Sequence, residues 1–496
     1  MKQQFMKSSR VNFQKFYQKN LWLIIIIFIT QGLFLMMSYW RYRNGFPLDD
    51  AWIHQTYARN FAKTGVWAFN LNVPSGGSTS PLWSFLLIPG HLMGGKTFLV
   101  YTYLINWILL FFSAVIFENI INNLVKNQYK FPVFGVIFLL EWHFIWAANS
   151  GMETILFILL ILLFFDQLLK KQFGLVMGVV LGLILWVRPD GLTLLGPLLF
   201  VLFFSRKNVI HSKRAIWGGV FFFLSFVMYI VFNLKISGSI FPNTFYAKQA
   251  EYAILYERNI LFRFWDMLKT QFIGFGILLI PGLINQFWEA IKNKKWVWFG
   301  LFLWWIGYLG LYALRLPVTY QHGRYQIPAI SVFLLLSIPG CVVLINKMGS
   351  YRLKLIRISW IVSTMLVMII FVFMGADAYA TDVAIIETEM VNTAIWINEF
   401  TEQDAIIAAH DIGALGFYGN RLIIDLAGLI SPEVIPYIND EVQIIEFLNK
   451  RHPDYLMTFE NWYNILPLNK TLVYSSTSMF SIEAGGSPMQ VYIWKP

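Results

Sequence analysis

The sequence predicts a polytopic α-helical membrane protein with a small α/β domain at its C-terminal end. Of its 496 residues, 57% are hydrophobic and only 13% are charged, whereas about a quarter of the residues in a soluble domain are charged. Apolar runs typical of membrane spans recur from residue 21 to residue 375. Beyond that point the pattern changes to short, alternating strand and helix signals.

The apolar runs predict about eleven transmembrane helices, judged against the roughly 20 residues that cross a bilayer. The polar segment before residue 21 is long and no small-residue cleavage site follows it, so residues 21–39 are predicted to be a retained first helix and not a signal peptide. Residues 81–93, PLWSFLLIPGHLM, are short for a span, and we expect a re-entrant segment or a broken lead into the next helix. The expected spans are residues 21–39, 97–121, 131–148, 154–169, 172–187, 191–204, 215–233, 271–288, 296–314, 328–346 and 356–375.

Basic residues mark one side of this predicted membrane domain. The segment before residue 21 contains five basic and no acidic residues, which places it in the cytoplasm by the positive-inside rule. An odd number of spans then puts residues 376–496 outside. We therefore expect a transmembrane domain at residues 1–375, with residues 40–96 as its first outer loop, and an extracytoplasmic domain at residues 376–496. The basic residues of the other cytoplasmic loops and their edges are Lys126, Lys130, Lys170, Lys171, Arg206, Lys207, Lys213, Arg214, Lys292, Lys294, Lys295, Lys347, Arg352, Lys354 and Arg357.

The uneven charge excludes some classes of function. The chain has a net charge of +11, but residues 376–496 contain sixteen acidic and five basic residues, so the excess lies in the short cytoplasmic loops. The positive-inside rule explains that excess, and nucleic-acid binding is not expected. The single cysteine, Cys341, lies within an apolar run, which excludes a disulfide framework and a cysteine-based metal site.

The C-terminal region predicts a small α/β domain joined directly to the last span. The segment AIIAAHDIGALGFYGNRLIIDLAGL has the pattern of strand, glycine-bearing turn, short helix and strand. EVQIIEFLNKRHPDYLMTF then predicts a helix and a strand, and residues 471–475 and 490–494 could be further strands.

Asp49 and Asp50 form an acidic pair shortly after the first apolar run. Two adjacent carboxylates repel each other, and no Lys or Arg follows within five residues to neutralise them. A cation, a hydrogen-bond network or a substrate proton should therefore compensate their charge. The alternative is that one of them caps a helix that begins at Ala51.

Further polar motifs are predicted to emerge on the same outer side. Ionisable groups at a membrane edge are costly and usually functional, so we expect these motifs to line one extracytoplasmic cavity. Their candidate residues are Glu153 in NSGMET, Arg188 and Asp190 in RPDG, Asn243, Tyr246 and Lys248 in PNTFYAK, and His322, Arg324 and Tyr325 in QHGRYQIP.

The chemistry of these residues is complementary. A carboxylate of the acidic pair could take a proton from an acceptor hydroxyl as a general base. The cations Arg188, Lys248 and Arg324 suit a departing phosphate. Tyr246 and Tyr325, like other aromatic residues, could stack on a sugar or belong to an interfacial belt.

Several of these positions have a structural alternative. Glu153 could cap the following helix. RPDG could be a simple turn from which Arg188 reaches the membrane surface. His322 is more typical of a packed histidine than of a ligand. His410 and Asp411 follow a predicted strand in a glycine-containing turn, where a purely structural role is favoured.

Taken together, these segments resemble the GT-C superfamily of polytopic glycosyltransferases. The closer likeness is to bacterial terminal arabinofuranosyltransferases of the AftB-like type, over about residues 40–460. The resemblance rests on the segments DDAWIHQTYARNFAKTGVWAFN, GGSTSPLW, SGMET, RPDG, PNTFYAK, HGRYQIPA, HDIGALGFYGNRLIIDLAG and FLNKRHPDYLM.

The resemblance implies a polyprenyl-phosphate sugar donor and a catalytic base among Asp49 and Asp50. It also implies that Arg188, Lys248 and Arg324 bind the donor phosphate. Two departures leave the sugar and the acceptor open. This chain has Gly77-Ser78 where relatives often have Gly-Tyr, and His410-Asp411 where they often have Gly-Asp.

The preferred hypothesis is therefore an inverting hexosyl- or pentosyltransferase of a plasma membrane, with a bacterial one favoured. It would move a sugar from a polyprenyl phosphate to a cell-envelope glycan, glycolipid or protein. Asp49 is the favoured base, and Glu153, Asp190, Asn243, Tyr246, His322 and Tyr325 are expected to bind substrate. No cofactor is required, although Mg²⁺ or Mn²⁺ could bind the oxygen-rich pair Asp49 and Asp50.

Two other classes remain open from the sequence. A transporter or lipid-linked sugar flippase would use the same acids as proton or ion sites, but it would often show related halves and interrupted helices at matching positions. A non-catalytic glycan-binding subunit would tolerate the loss of both aspartates.

Overall fold

Helices dominate the structure, which is a computed structural model describing residues 2–126, 129–204, 213–349 and 351–494. The predicted cytoplasmic residues Arg206 and Lys207 lie outside the described residues. The helices of the first 400 residues are α1 (Lys2–Arg41), α2 (Asp49–Thr64), α3 (Pro81–Leu92), α4 (Thr97–Val125), α5 (Val133–Leu139), α6 (Trp142–Asn149), α7 (Thr154–Leu169), α8 (Leu175–Val187), α9 (Leu195–Phe204), α10 (Lys213–Ser237), α11 (Asn243–Glu251), α12 (Ile260–Lys269), α13 (Ile280–Lys292), α14 (Trp296–Arg315), α15 (Tyr320–Gly323), α16 (Ile327–Lys347), α17 (Tyr351–Ile385) and α18 (Asn392–Phe400).

Six helices within the described part of the chain are long and apolar enough to cross a bilayer, or seven if a bent pair counts as one span. The bent pair joins residues 260–272 to residues 275–292 at an angle of 89°. The protein is therefore an integral membrane protein, and the predicted polytopic α-helical fold class is confirmed. The six helices are Asn20–Arg41, Thr97–Val125, Lys213–Ser237, Trp296–Arg315, Ile327–Lys347 and Leu353–Phe400.

The other expected spans are shorter or interrupted. Residues 154–169, 175–187 and 189–204 form shorter apolar helices. The expected span at 131–148 is divided into α5 and α6, because the carboxylate of Glu141 accepts a hydrogen bond from the amide of His143 and starts a new helix there. The predicted segment 81–93 contains the short helix α3 (Pro81–Leu92), which packs between α2 and α4.

The C-terminal region contains the predicted small α/β domain. Its five strands have the order β2-β1-β3-β5-β4, in which the first three are parallel and the last two pairings are antiparallel. Its elements are β1 (Ile406–Ala409), α19 (Gly413–Tyr418), β2 (Leu422–Asp425), α20 (Glu441–Arg451), β3 (Tyr455–Phe459), β4 (Thr471–Ser475), α21 (Phe480–Glu483) and β5 (Met489–Ile493).

A continuous helical segment connects the two parts of the chain. Helix α17 passes through a π-helical turn, Ile386–Val391, directly into α18. The predicted domain boundary after residue 375 falls inside α17, and the sheet begins only at Ile406. No loop interrupts this helical segment before residue 400, and residues 401–405 then lead into β1.

Helices α8 and α10 approach each other closely at glycines. A Cβ atom on Gly178 would collide with the backbone carbonyl of Gly218, while a Cβ on the neighbouring Gly219 would meet nothing within 4 Å. Small residues allow helices in a membrane to pack backbone against backbone.

We expect Gly178→Ala to destabilise the protein in detergent, because the two helix backbones would have to separate. Overpacking of this kind costs about 1–3 kcal/mol, measurable as a lower thermal unfolding midpoint. Gly219→Ala is the matched control, since its methyl group enters open space. Equal midpoints for the two variants would contradict this close packing.

Candidate active site

Two cavities share a wall formed by Lys248. The first, which we call the Asp50 cavity, has a volume of about 370 Å³ and lies where α2 and α11 face the C-terminal domain. The second, which we call the Arg188 groove, has a volume of about 390 Å³. The Asp50 cavity is lined by residues that include Asp49, Asp50, Lys248, Arg324, His410 and Asp411. The Arg188 groove is lined by residues that include Arg188, Asp190, Phe241, Phe245, Lys248 and Tyr325.

Asp50 forms ion pairs with two cations from distant parts of the chain. Its Oδ2 atom lies 2.9 Å from Nζ of Lys248 and 2.6 Å from a guanidinium nitrogen of Arg324. Burial by itself would raise the pKa of Asp50, but Lys248 and Arg324 hold it well below its usual range. Asp50 is therefore a stable anion and a weak base.

Asp49 has a different environment although it is the next residue. Its two carboxylate oxygens accept hydrogen bonds from the amides of Gly413, at 2.7 Å, and Ala414, at 2.8 Å. Burial and the nearby charges of Asp411 and Asp50 raise the pKa of Asp49 to about 7, although the two amides partly oppose this. A carboxylate with this pKa can exchange a proton near neutral pH.

The capping alternative for this pair is wrong. Helix α2 begins at Asp49 itself, its N-cap residue is Leu48, and no side chain caps it. Both carboxylates instead bind partners outside their own helix, Asp49 in the C-terminal domain and Asp50 at Lys248 of α11 and at Arg324.

Both ends of the short helix α19 are bound by side chains of α2. Asp49 binds the amides at its start, and Arg59 donates hydrogen bonds to the carbonyls of Gly416, at 3.0 Å, and Phe417 near its end. A Cβ atom on Gly413 would collide with the carbonyl oxygen of Asp49, so only glycine permits this approach. The C-terminal domain thus forms part of the site.

Arg188 is buried at the head of its groove. Its guanidinium donates to Asp190 at 3.1 Å and to the hydroxyl of Tyr312 at 2.6 Å, and it lies 3.5 Å from Glu153. The sequence RPDG does form a turn between two helical segments, but Arg188 is only 7% exposed, so the expectation that it reaches the membrane surface is wrong. Glu153 makes no side-chain capping bond and faces His54 and Arg188 instead.

Tyr325 joins the three predicted phosphate ligands into one cluster. Its hydroxyl accepts hydrogen bonds from Lys248, at 3.1 Å, and Arg324, at 2.9 Å. The charged ends of Arg188, Lys248 and Arg324 lie 5.6, 5.8 and 4.8 Å from the centre of its ring. An aromatic ring attracts cations to its faces, and it holds them together without neutralising them.

Four of the six predicted substrate-binding residues line neither cavity: Glu153, described above, and Asn243, Tyr246 and His322. Asn243 is buried and donates to the carbonyl of Leu429, which attaches α11 to the C-terminal domain. His322 pairs with Asp382 at 2.8 Å, and Tyr246 is on the surface. Their expected contact with substrate is not visible in this arrangement.

The sequence interpretation missed the far wall of the Asp50 cavity. His410 and Asp411, for which a structural role was favoured, line that cavity with Glu251 and Trp462. Burial would lower the pKa of His410, but Asp411 and Glu251 raise it to about 9. The sequence feature that could have identified them is their position directly after β1, because ligand sites often lie at the carboxyl ends of parallel strands.

The architecture matches two solved membrane proteins. ArnT from Cupriavidus metallidurans, solved in the apo state and bound to undecaprenyl phosphate, aligns over 95% of this chain and 97% of its own, with 11% identity and a TM-score of 0.56. The Archaeoglobus fulgidus oligosaccharyltransferase, solved with a tethered acceptor peptide, aligns over 89% of this chain and 70% of its own, with 11% identity and a TM-score of 0.52. Both have the GT-C architecture.

This chain has the GT-C fold. Residues 380–492 match a family model described as a domain of unknown function, DUF8728. No curated protein sequence matches the chain. The predicted GT-C fold is thus confirmed, and the finer likeness to AftB-like proteins stays a prediction.

We expect Arg59→Ala to loosen the C-terminal domain, because α19 would lose its charged partner at one end. Hydrogen bonds to a charged group contribute about 1.5–3 kcal/mol, so local opening should increase at least ~10-fold. Limited proteolysis between residues 400 and 440 would measure it.

The control is Lys63→Ala, which removes an exposed cation from the same helix. Equal cleavage rates in the two variants would show that Arg59 does not hold α19 against α2.

Proposed function

We propose that this protein is an inverting glycosyltransferase that uses a polyprenyl-phosphate sugar and a hydroxyl-bearing acceptor. The observation that carries the proposal is the shared wall of the two cavities. There, a cluster of cations suited to phosphate adjoins a carboxylate whose pKa lies near 7. The GT-C fold, shared with a protein solved bound to undecaprenyl phosphate, supports the same function.

The donor would occupy the Arg188 groove. Phe241, Phe245 and Leu311 give the groove an apolar lining suited to an isoprenoid chain. Arg188, Lys248 and Arg324, grouped around Tyr325, would bind the phosphate. The sugar would then project past Lys248 into the Asp50 cavity.

The transfer step divides the two aspartates by role. Asp49 takes the proton of the acceptor hydroxyl. The oxygen of that hydroxyl attacks the anomeric carbon of the donor sugar from the face opposite the phosphate. The bond from the anomeric carbon to the phosphate oxygen breaks, and the polyprenyl monophosphate leaves with the bonding electron pair. The cations stabilise the developing negative charge. Asp50 stays ionised and orients Lys248 and Arg324.

A divalent metal on the acidic pair, considered from the sequence, does not fit the donor atoms. The oxygens of Asp49 face two backbone amides, and Oδ2 of Asp50 faces two cations. Among the described residues, no group of three or more His, Cys, Asp or Glu side chains is arranged to hold a metal ion. The proposed reaction therefore contains no step through a metal.

The acceptor is proposed to be a cell-envelope glycan, glycolipid or protein on the outer face of a plasma membrane. A bacterial plasma membrane is favoured. The basic cytoplasmic loops predict this orientation, with the C-terminal domain outside. In a transporter, the favoured alternative class, the same groups would bind an ion or proton and no donor would be consumed.

We expect Asp49→Asn to lower kcat about 10²–10⁴-fold, the usual contribution of a general base. In the wild type the pKa of about 7 makes the rate rise with pH and level off above neutrality, since protonated Asp49 cannot accept a proton. Asp50→Asn should keep this rise but shift it to lower pH, because the loss of the neighbouring negative charge lowers the pKa of Asp49. The measurement is polyprenyl-phosphate release from a panel of labelled donors by folded protein in detergent.

The pH profiles decide between the two carboxylates. A rise that disappears in Asp50→Asn and persists in Asp49→Asn would make Asp50 the base. Unchanged turnover in both variants would remove the acidic-pair mechanism, and no turnover with any donor would favour the transporter.

We expect Lys248→Met and Arg324→Met to weaken binding of undecaprenyl phosphate roughly 10–100-fold, because each removes a charge-assisted contact of about 1.5–3 kcal/mol. Titration calorimetry in detergent would measure the affinity. Lys235→Ala, at an exposed position on α10, is the matched control. Wild-type affinity in both Met variants would contradict the assigned phosphate site.

A further inference from the structure

A second cavity, on the C-terminal domain, adjoins the Asp50 cavity. This opening, which we call the Trp462 cleft, has a volume of about 400 Å³. It shares Glu251, His410 and Trp462 with the Asp50 cavity, so the two cavities adjoin at these residues. Asn439 and Asn461 add hydrogen-bonding groups to its wall. Its lining thus extends the site well beyond Asp49 and Asp50.

Basic and acidic side chains lie at opposite ends of the two adjoining cavities. The cations Lys248 and Arg324 lie at the end that adjoins the Arg188 groove. At the other end Glu251 and Asp411 flank His410, with Nε2 of His410 3.7 Å from Glu251 and Nδ1 3.9 Å from Asp411. Because the pKa of His410 is raised to about 9, its one positive charge offsets part of the charge of the two carboxylates, and this end keeps a net negative charge. An anion would therefore be attracted to the first end and repelled from the second.

Trp462 presents a fixed aromatic surface beside these polar groups. The residue is 47% exposed, and its ring is held by His410 and Phe459, each with ring centres 4.9 Å away. A flat aromatic face beside hydrogen-bonding groups suits a sugar ring, which has an apolar face and a polar edge.

The loop that carries Trp462 is anchored to the domain. The carboxylate of Glu441 accepts hydrogen bonds from the amides of Asn464, Ile465 and Leu466, at 3.0, 2.6 and 3.1 Å. Binding to a surface that is already ordered avoids the entropic cost of fixing it.

We propose that the far end of the Asp50 cavity and the Trp462 cleft bind a glycan acceptor of at least two consecutive sugar units that are neutral or amino-bearing. The inference rests on the proposed transferase function and specifies its acceptor. The terminal unit presents its hydroxyl to Asp49, and the next unit stacks on Trp462. Cavities of about 370 and 400 Å³ each lie within the size range of small-ligand sites. Glu251 and Asp411 exclude uronic acids and phosphorylated sugars.

Saturation-transfer NMR on the full-length protein in detergent tests this acceptor class without any donor. The probes are maltotriose, chitotriose, the glucosamine trimer and the galacturonate trimer, together with the corresponding monosaccharides. We expect at least one neutral or amino trimer to bind at least ~10-fold more tightly than its monosaccharide, and the galacturonate trimer not to bind. Glu251→Gln should admit the galacturonate trimer, because a repelling charge is gone.

Trp462→Ala should weaken trimer binding at least ~10-fold, whereas Trp217→Ala, an equally drastic change at an exposed position on α10, should leave it unchanged. The proposal is overturned if the galacturonate trimer binds as tightly as the others, if Trp462→Ala binds like wild type, or if no trimer binds.

This experiment is independent of catalysis. Trimer binding that depends on Trp462, in a protein that releases no polyprenyl phosphate from any donor, would support a glycan-binding site and reject the transferase. Donor turnover that depends on Asp49, without trimer binding, would support the transferase and reject this acceptor class.

Discussion

Two adjacent carboxylates in the first turn of one helix cannot both be buried as anions unless each finds its own partners. The protein meets this constraint by giving Asp49 and Asp50 opposite environments. Asp50 is neutralised by Lys248 and Arg324, while Asp49 binds two backbone amides and keeps a pKa of about 7. Every partner comes from a part of the chain at least 190 residues away. The site therefore exists only in the assembled fold.

The contact between the C-terminal domain and α2 is explained by the same constraint. Because the amides that bind Asp49 belong to α19, that domain is part of the catalytic centre in the proposed reaction and more than an appendage. Arg59 secures the other end of α19 through the carbonyls of Gly416 and Phe417. Displacement of α19 would change both the position of Asp49 and its pKa.

The three cations of the proposed phosphate site are held close together although each also pairs with an acid. Tyr325 gathers Arg188, Lys248 and Arg324 around one ring, and acids on either side balance part of their charge. In the proposed reaction this arrangement would be preorganised for the donor phosphate, since the cations are already together before it binds. Lys248 contributes to both cavities and so connects the proposed donor and acceptor regions.

The sequence by itself determined the membrane fold, the C-terminal α/β pattern and most of the residues around Lys248, because hydropathy and isolated charges in apolar surroundings are local signals. It could not show that His410 and Asp411 face the acidic pair, or that His322 and Tyr246 lie elsewhere. Those outcomes depend on how α11, the turn before α16 and the strand β1 come together in space. Only the tertiary structure distinguished the environments of Asp49 and Asp50, since the pKa of each carboxyl group depends on burial and on partners that are distant in the sequence.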